Sequence, residues 1–132
     1  MPSTSVVLTA VAAGGAFGAS GRYLLGVALA ASGLTLWGVP LGTLVANALG
    51  CFAAGLVMGW LDTRALSDEL LTAFLMTGVL GGFTTFSAFS FETLRLVQSG
   101  PMSTALLNVG MNLFVSLVGV VLGWQLIQAL AR

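Results

Sequence analysis

Residues 81–90 read Gly-Gly-Phe-Thr-Thr-Phe-Ser-Ala-Phe-Ser, and they lie in the middle of a long apolar segment. Each of the two adjacent glycines costs a helix about 1 kcal/mol against alanine, and the hydroxyls of Thr84 and Thr85 offer the backbone alternative hydrogen bonds. The stretch therefore predicts a helix that is broken near the middle of a membrane, where freed carbonyls must be buried in protein or contact an ion or water. A kinked helix whose glycines only permit close packing is the alternative interpretation.

The composition defines the class of protein. Hydrophobic residues make up 58% of the chain and charged residues 6%, whereas soluble domains carry about 25% charged residues. We therefore predict an integral membrane protein. The formal net charge is zero, which indicates no nucleic-acid partner. The first apolar run lacks the positive region of a secretory signal, so we predict that it is retained as a helix.

Four apolar segments are long enough to cross a bilayer, which takes about 20 helical residues. We predict an all-α fold with a single domain over residues 1–132. The membrane spans are predicted at about 5–31, 37–61, 68–99 and 102–131. A continuous third helix would be about 48 Å long, against a hydrocarbon core of about 30 Å. A break between Gly81 and Thr85 would divide it into two shorter helices.

Glycines four residues apart predict close contacts between helix backbones in lipid. Such pairs are Gly14 and Gly18, Gly38 and Gly42, Gly55 and Gly59, and Gly119 and Gly123. We interpret these glycines as packing residues. The single cysteine, Cys51, lies inside an apolar run and is also interpreted as a packing residue.

Polar residues inside the spans predict a water-accessible pathway. In the fourth span Asn108, Asn112 and Ser116 fall at i, i+4 and i+8, which places them on one helix face. Asn47 and Arg22 add polar groups within the second and first spans. Intramembrane polar groups are costly and tend to line pathways. Hydrogen bonding between helices, at about 1 kcal/mol per bond, is the alternative.

The chemistry of these groups indicates what could travel along such a pathway. Amides and hydroxyls donate hydrogen bonds, and the edge of a phenylalanine ring is the positive end of its quadrupole. Phe86 and Phe89 are three residues apart and so lie on one helix face. These groups suit a small anion, and only Glu92 argues the other way. The sequence offers no His or Cys cluster for a transition metal and no Ser-His-Asp set, so no enzyme is predicted.

Three motifs together resemble the Fluc (CrcB) family of fluoride ion channels. Residues 81–90 resemble the family's signature. Residues 18–23, Gly-Ala-Ser-Gly-Arg-Tyr, resemble its first helix, and residues 42–50, Gly-Thr-Leu-Val-Ala-Asn-Ala-Leu-Gly, resemble its second. With the length and the four spans, the resemblance covers essentially the whole chain. Two positions depart from the family's pattern, since Ala88 stands where members often carry Thr and Asn108 where Tyr is common.

The resemblance implies a passive, fluoride-selective channel that exports fluoride and so lowers its cytoplasmic concentration. It implies an antiparallel, dual-topology homodimer among the lipids of the bacterial inner membrane, with two pores and a central structural Na⁺. Gly81 and Thr84 match the family's Na⁺ ligands, which bind through backbone carbonyls. The pore residues that the resemblance implies are Phe86, Phe89, Asn47, Ser87, Ser116, Asn112, Glu92 and Arg22.

The arginines also favour insertion in both orientations. Arg64 and Arg132 lie on one predicted side and Arg95 near the other, a bias too small to set one orientation. Antiparallel pairing then follows as a closed two-fold assembly. The alternative function is a small dual-topology, proton-coupled exporter of the small multidrug resistance type. That chemistry usually needs a carboxylate in the first span, where this chain has Arg22 and no acid.

Overall fold

Four long apolar helical spans dominate the structure. The computed structural model describes residues 2–64 and 68–132, so residues 65–67 of the predicted connection between the second and third spans lie outside it. The spans are α1 (Thr4–Ser32), α2 (Leu41–Thr63), the third span (Glu69–Ser99) and α6 (Met102–Leu130). Each is long and apolar enough to cross a membrane. The prediction of four spans is confirmed, and the first, third and fourth end within one residue of the predicted limits.

The second span begins later than predicted because a hairpin precedes it. In the hairpin, β1 (Thr35–Leu36) pairs antiparallel with β2 (Val39–Pro40). Pro40 is extended, at φ −63° and ψ 135°, and α2 starts only after it. A proline also restricts the residue before it, here Val39, to extended conformations. The predicted start of the span at residue 37 is therefore wrong.

The hairpin turn also corrects one predicted glycine contact. Gly38 has φ +83°, a left-handed conformation that glycine adopts without steric cost. Gly38 and Gly42 consequently do not share a helix face, although they are four residues apart. Within residues 2–64 and 68–132, these two short strands are the exception to the predicted all-α fold.

The third span changes its backbone geometry along its length. Its segments are α3 (Glu69–Thr72), a π-helix (Ala73–Leu80), α4 (Gly81–Phe83) and α5 (Phe86–Ser99). Between α4 and α5 the backbone is extended, with φ −83° and ψ 154° at Thr84 and φ −153° and ψ 121° at Thr85. The Thr85 hydroxyl caps α5 by accepting a hydrogen bond from the backbone N–H of Ala88.

Glycines allow the backbones of the spans to touch. A Cβ at Gly55 of α2 would collide with the carbonyl of Val120, and one at Gly123 of α6 with the carbonyl of Phe52. Gly18 of α1 meets the π-helical segment in the same way. The interpretation as packing residues is confirmed for the pairs Gly14 and Gly18, Gly55 and Gly59, and Gly119 and Gly123.

Candidate ion pathway

Three asparagines are buried between the helices. Asn47 of α2 is 9% exposed, and Asn108 and Asn112 of α6 are 0% and 4% exposed. Their amides need partners inside the protein, because a buried polar group without a hydrogen bond is costly. The spacing of four residues places Asn108 and Asn112 on the same side of α6, as the sequence predicts. Their partners define a site at the interruption of the third span.

Asn47 binds both backbone groups of Thr85. Its Oδ1 accepts a hydrogen bond from the Thr85 N–H at 2.8 Å, and its Nδ2 donates to the Thr85 carbonyl at 3.2 Å. Nδ2 also donates to Asn112 Oδ1 at 3.1 Å. Gly50 lets α2 approach this closely, because a Cβ there would collide with the side chain of Thr84. The amide thus supplies hydrogen bonds that the extended backbone does not make within a helix.

The carbonyls of residues 81–84, at the interruption, lose the partners that a continuous helix would give them. In an α-helix the carbonyl of residue i accepts from the N–H of residue i+4, so Gly81 would pair with Thr85 and Thr84 with Ala88. Instead, the Thr85 N–H donates to Asn47 Oδ1, and the Ala88 N–H donates to Thr85 Oγ1 at 3.2 Å. Gly81 and Thr84 are the two residues that the resemblance matches to Na⁺ ligands.

A cavity of about 550 Å³ lies between α1, the hairpin, α2 and α5. Arg22, Thr43, Thr85 and Glu92 are among its lining residues. Arg22 Nε donates to the Gly82 carbonyl at 3.2 Å, and Glu92 Oε1 accepts from the Thr43 hydroxyl at 2.6 Å. The other carboxylate oxygen of Glu92 is buried and has no hydrogen-bond partner among the residues that the structure describes. Two predicted pore residues, one cationic and one acidic, therefore line the same cavity.

A second cavity, of about 270 Å³, holds most of the other predicted pore residues. Its lining includes Asn47, Thr85, Phe86, Phe89, Asn112 and Ser116. The rings of Phe86 and Phe89 meet edge to face, with centroids 5.2 Å apart and an interplanar angle of 61°. Phe89 is 7% exposed, whereas Phe86 is 72% exposed. The two rings therefore share one helix face but differ in how much protein surrounds them.

Thr85 lines both cavities, and sequence reasoning assigned it no role of its own. Its position three residues after Gly82, with a hydroxyl that can cap a helix, was the available signal. Unlike the other predicted pore residues, Ser87 lines neither cavity. It is exposed, and its Oγ lies 3.1 Å from Thr85 Oγ1. Asn108 donates to Thr93 Oγ1 at 2.9 Å and so belongs to the buried amide cluster.

Four apolar spans around a buried polar interior define the class: this is an integral membrane protein. The model of the family described as CrcB-like protein, Camphor Resistance (CrcB), matches residues 9–124. The chain belongs to this family, which confirms the resemblance. A fluoride-specific ion channel FluC of Roseobacter denitrificans is 46% identical over 116 residues, 88% of this chain and 90% of that protein.

Further relatives carry the same printed name. The protein from Paracoccus denitrificans is 47% identical over 86% of this chain and 87% of its own length. The protein from Ruminiclostridium cellulolyticum is 40% identical over 94% of each. The similarity to these bacterial channels therefore extends over nearly the whole chain.

Proposed function

We propose that this protein is a passive, fluoride-selective ion channel that exports fluoride and so lowers its cytoplasmic concentration. The observation that carries the proposal is a pair of cavities, each with polar side chains in its lining, that share Thr85 at the point where the third span is extended. The names of the relatives, fluoride-specific ion channel, support fluoride as the ion. The first cavity contains Arg22, whose positive charge favours the entry of an anion, although Glu92 in the same lining opposes it.

The second cavity offers an anion weak contacts of the kind that conduction requires. Fluoride loses part of its hydration shell there and regains contacts from the Ser116 hydroxyl and from the ring edges of Phe86 and Phe89, while Ser87 lies beside Thr85. Aromatic interactions of this kind are worth about 0.5–1.5 kcal/mol each. Several together offset a partial dehydration cost and still release the ion. Asn47 and Asn112 form the polar wall of this cavity.

Two of the carbonyls that lose their helical partners, those of Gly81 and Thr84, fit a structural Na⁺ at the centre of an antiparallel homodimer. Unwound backbone carbonyls in membrane proteins are typical Na⁺ ligands, and Gly81 and Thr84 supply one such pair from each chain. Gly81 is exposed in the single chain, so a second copy can approach it and complete the shell. The bound ion would neutralise the converging carbonyl dipoles. We expect purified protein to unfold at a higher temperature in sodium than in choline chloride, and equal values would contradict a Na⁺ site.

Dual topology follows from the weak arginine bias and has its own test. A cysteine placed after Arg132 in a Cys51→Ala background should react with an impermeant maleimide from both sides of the membrane. Adding two or three lysines to one connection should bias insertion and lower fluoride flux, because the oppositely oriented partner becomes scarce. Labelling from one side only, in the protein without added lysines, would contradict the antiparallel dimer.

Fluoride flux in liposomes tests the proposed function directly. Purified protein in fluoride-loaded vesicles should release fluoride at a clamped membrane potential without a proton gradient, and chloride-loaded vesicles should release far less anion. A proton-coupled exporter would need the gradient, although α1 contains Arg22 and no acid to carry protons. Release that follows only the proton gradient would favour the exporter, and no release would refute both functions.

A further inference from the structure

We propose that Asn108 is a positioning residue that acts through Asn112 and Asn47 to hold Thr85 in its extended conformation. The four side chains of Thr93, Asn108, Asn112 and Asn47 form one directed series of hydrogen bonds, which we term the amide relay. The inference rests on the proposed channel function only for its flux readout. The hydrogen bonds themselves are independent of which ion the protein carries.

The relay begins on α5, after the interruption. The Thr93 hydroxyl donates to the carbonyl of Phe89 at 2.8 Å, so its proton is committed and its oxygen is left to accept. Asn108 must therefore turn its Nδ2 toward Thr93, and it donates to Thr93 Oγ1 at 2.9 Å. This contact orients the Asn108 amide, so that its Oδ1 is left to face Asn112.

The hydrogen bonds of the next two amides run in the same direction. Asn112 Nδ2 donates to Asn108 Oδ1 at 3.0 Å and to the Asn108 carbonyl at 3.1 Å, so Asn112 presents its Oδ1 to Asn47. Asn47 Nδ2 donates to that oxygen at 3.1 Å, which leaves Asn47 Oδ1 to accept the Thr85 N–H at 2.8 Å. The relay thus runs from the carbonyl of Phe89 to the N–H of Thr85 and spans the start of α5.

The relay assigns the amides a task other than direct contact with an anion. The Nδ2 groups of Asn47 and Asn112 already donate to Thr85, Asn112 and Asn108. Their contribution to conduction is then to hold Thr85, which lines both cavities. Because hydrogen bonds in series polarise one another in a low-dielectric interior, loss of one end weakens the bond at the other. Asn108 and Thr93 therefore influence the pathway although neither lines the second cavity.

The experiment removes hydrogen bonds at the Thr93 end of the relay and measures the effect at Thr85. Thr93→Val keeps the β-branched shape but removes the hydroxyl, and Asn108→Leu removes both polar atoms at similar volume. Ser99→Ala is the matched control, because the Ser99 hydroxyl also bonds a carbonyl of α5 but is exposed and lies outside the relay. Two quantities are measured for each: fluoride efflux per folded protein in liposomes, and hydrogen exchange of the Thr85 amide by NMR.

We expect Thr93→Val to lower efflux about fivefold, the effect of one hydrogen bond, and Asn108→Leu to lower it about tenfold or more. Both variants should speed exchange of the Thr85 amide, and Ser99→Ala should change neither quantity. In an Asn112→Ala background the relay is already cut, so Thr93→Val should add almost nothing to either effect. A residue with a merely structural role would add its full effect there.

Variants that lower only the thermal stability, while efflux and Thr85 exchange stay at their original values, would overturn the proposal. Full additivity in the Asn112→Ala background would overturn it as well. If the unmodified protein carries no fluoride, the proposed function fails, but the Thr85 exchange measurements still decide whether the relay exists. The two ideas can therefore fail separately.

Discussion

The α2–α6 contact and the interrupted third span hold their backbones in place by different means. Between α2 and α6, glycines such as Gly55 and Gly123 bring one backbone against the carbonyls of the other. At Thr85 no regular helix is present, and the side chain of Asn47 bonds the backbone directly. Close packing suffices where the helical bonds are complete. Where they are not, the exposed backbone groups need polar partners inside the membrane.

One helix, α2, takes part in both arrangements. Its first half carries Asn47 and Gly50, which contact the interruption, and its second half carries Gly55, which contacts α6. A change in the first half should therefore alter ion flux, and one in the second half should alter the free energy of unfolding. Substitutions along this single helix, and at the rings of Phe86 and Phe89, can therefore test the difference between the two arrangements.

The largest effect on flux is expected from Phe86→Ile and Phe89→Ile. Isoleucine keeps the bulk and apolarity of the ring but removes its quadrupole, and with it the positive edge that the proposed pathway offers to an anion. Each variant should lower fluoride efflux from liposomes about tenfold or more while the protein stays folded, as gel filtration would show.

Phe91→Ile is the matched control, because Phe91 lies on the same helix but lines neither cavity and packs under the Arg95 guanidinium at 4.6 Å. It should leave efflux nearly unchanged. If Phe86→Ile and Phe89→Ile both ran at full rate, the ring edges would have no part in conduction, and the two phenylalanines would be packing residues.

Gly55→Ala should give the largest loss of stability. The added methyl group would collide with the carbonyl of Val120, a backbone atom that cannot turn aside. Overpacking of this kind typically costs about 1–3 kcal/mol, which thermal unfolding in detergent can measure. Gly110→Ala in α6 is the control, because nothing lies within 4 Å of its Cβ position. Equal unfolding temperatures for the two variants would contradict the close contact.

Gly50→Ala tests whether the two halves of α2 differ, since it places the same methyl group in the first half of the helix. There the group would collide with the Thr84 side chain and displace the extended segment. We expect efflux per folded protein to fall about fivefold, while Gly55→Ala keeps nearly full efflux per folded protein. If Gly55→Ala lost its flux and Gly50→Ala kept it, the two halves of α2 would not have the separate roles described above.

Patterns local in the sequence were predictable, and contacts between distant residues were not. Hydropathy and the recurring glycines predicted the four spans and three of the four glycine contacts. The hairpin was missed because Trp37 and Val39 are apolar and so continue the hydropathy of α2. The backbone bonds of Asn47 were missed because they join residues 38 apart in the chain. The direction of an amide depends on such partners, which residue spacing does not reveal.

The smallest effect is expected for Cys51→Ala. Cys51 is a half-buried free thiol that the sequence predicts to be a packing residue, although it lies one helical turn after Asn47. It lines neither of the two cavities, however, and a thiol donates only weak hydrogen bonds. The substitution should leave efflux nearly unchanged and cost about 1 kcal/mol or less in unfolding free energy. A severalfold fall in efflux would show that the pathway extends along α2 beyond Gly50, and the polar region would then overlap the packing half of the helix.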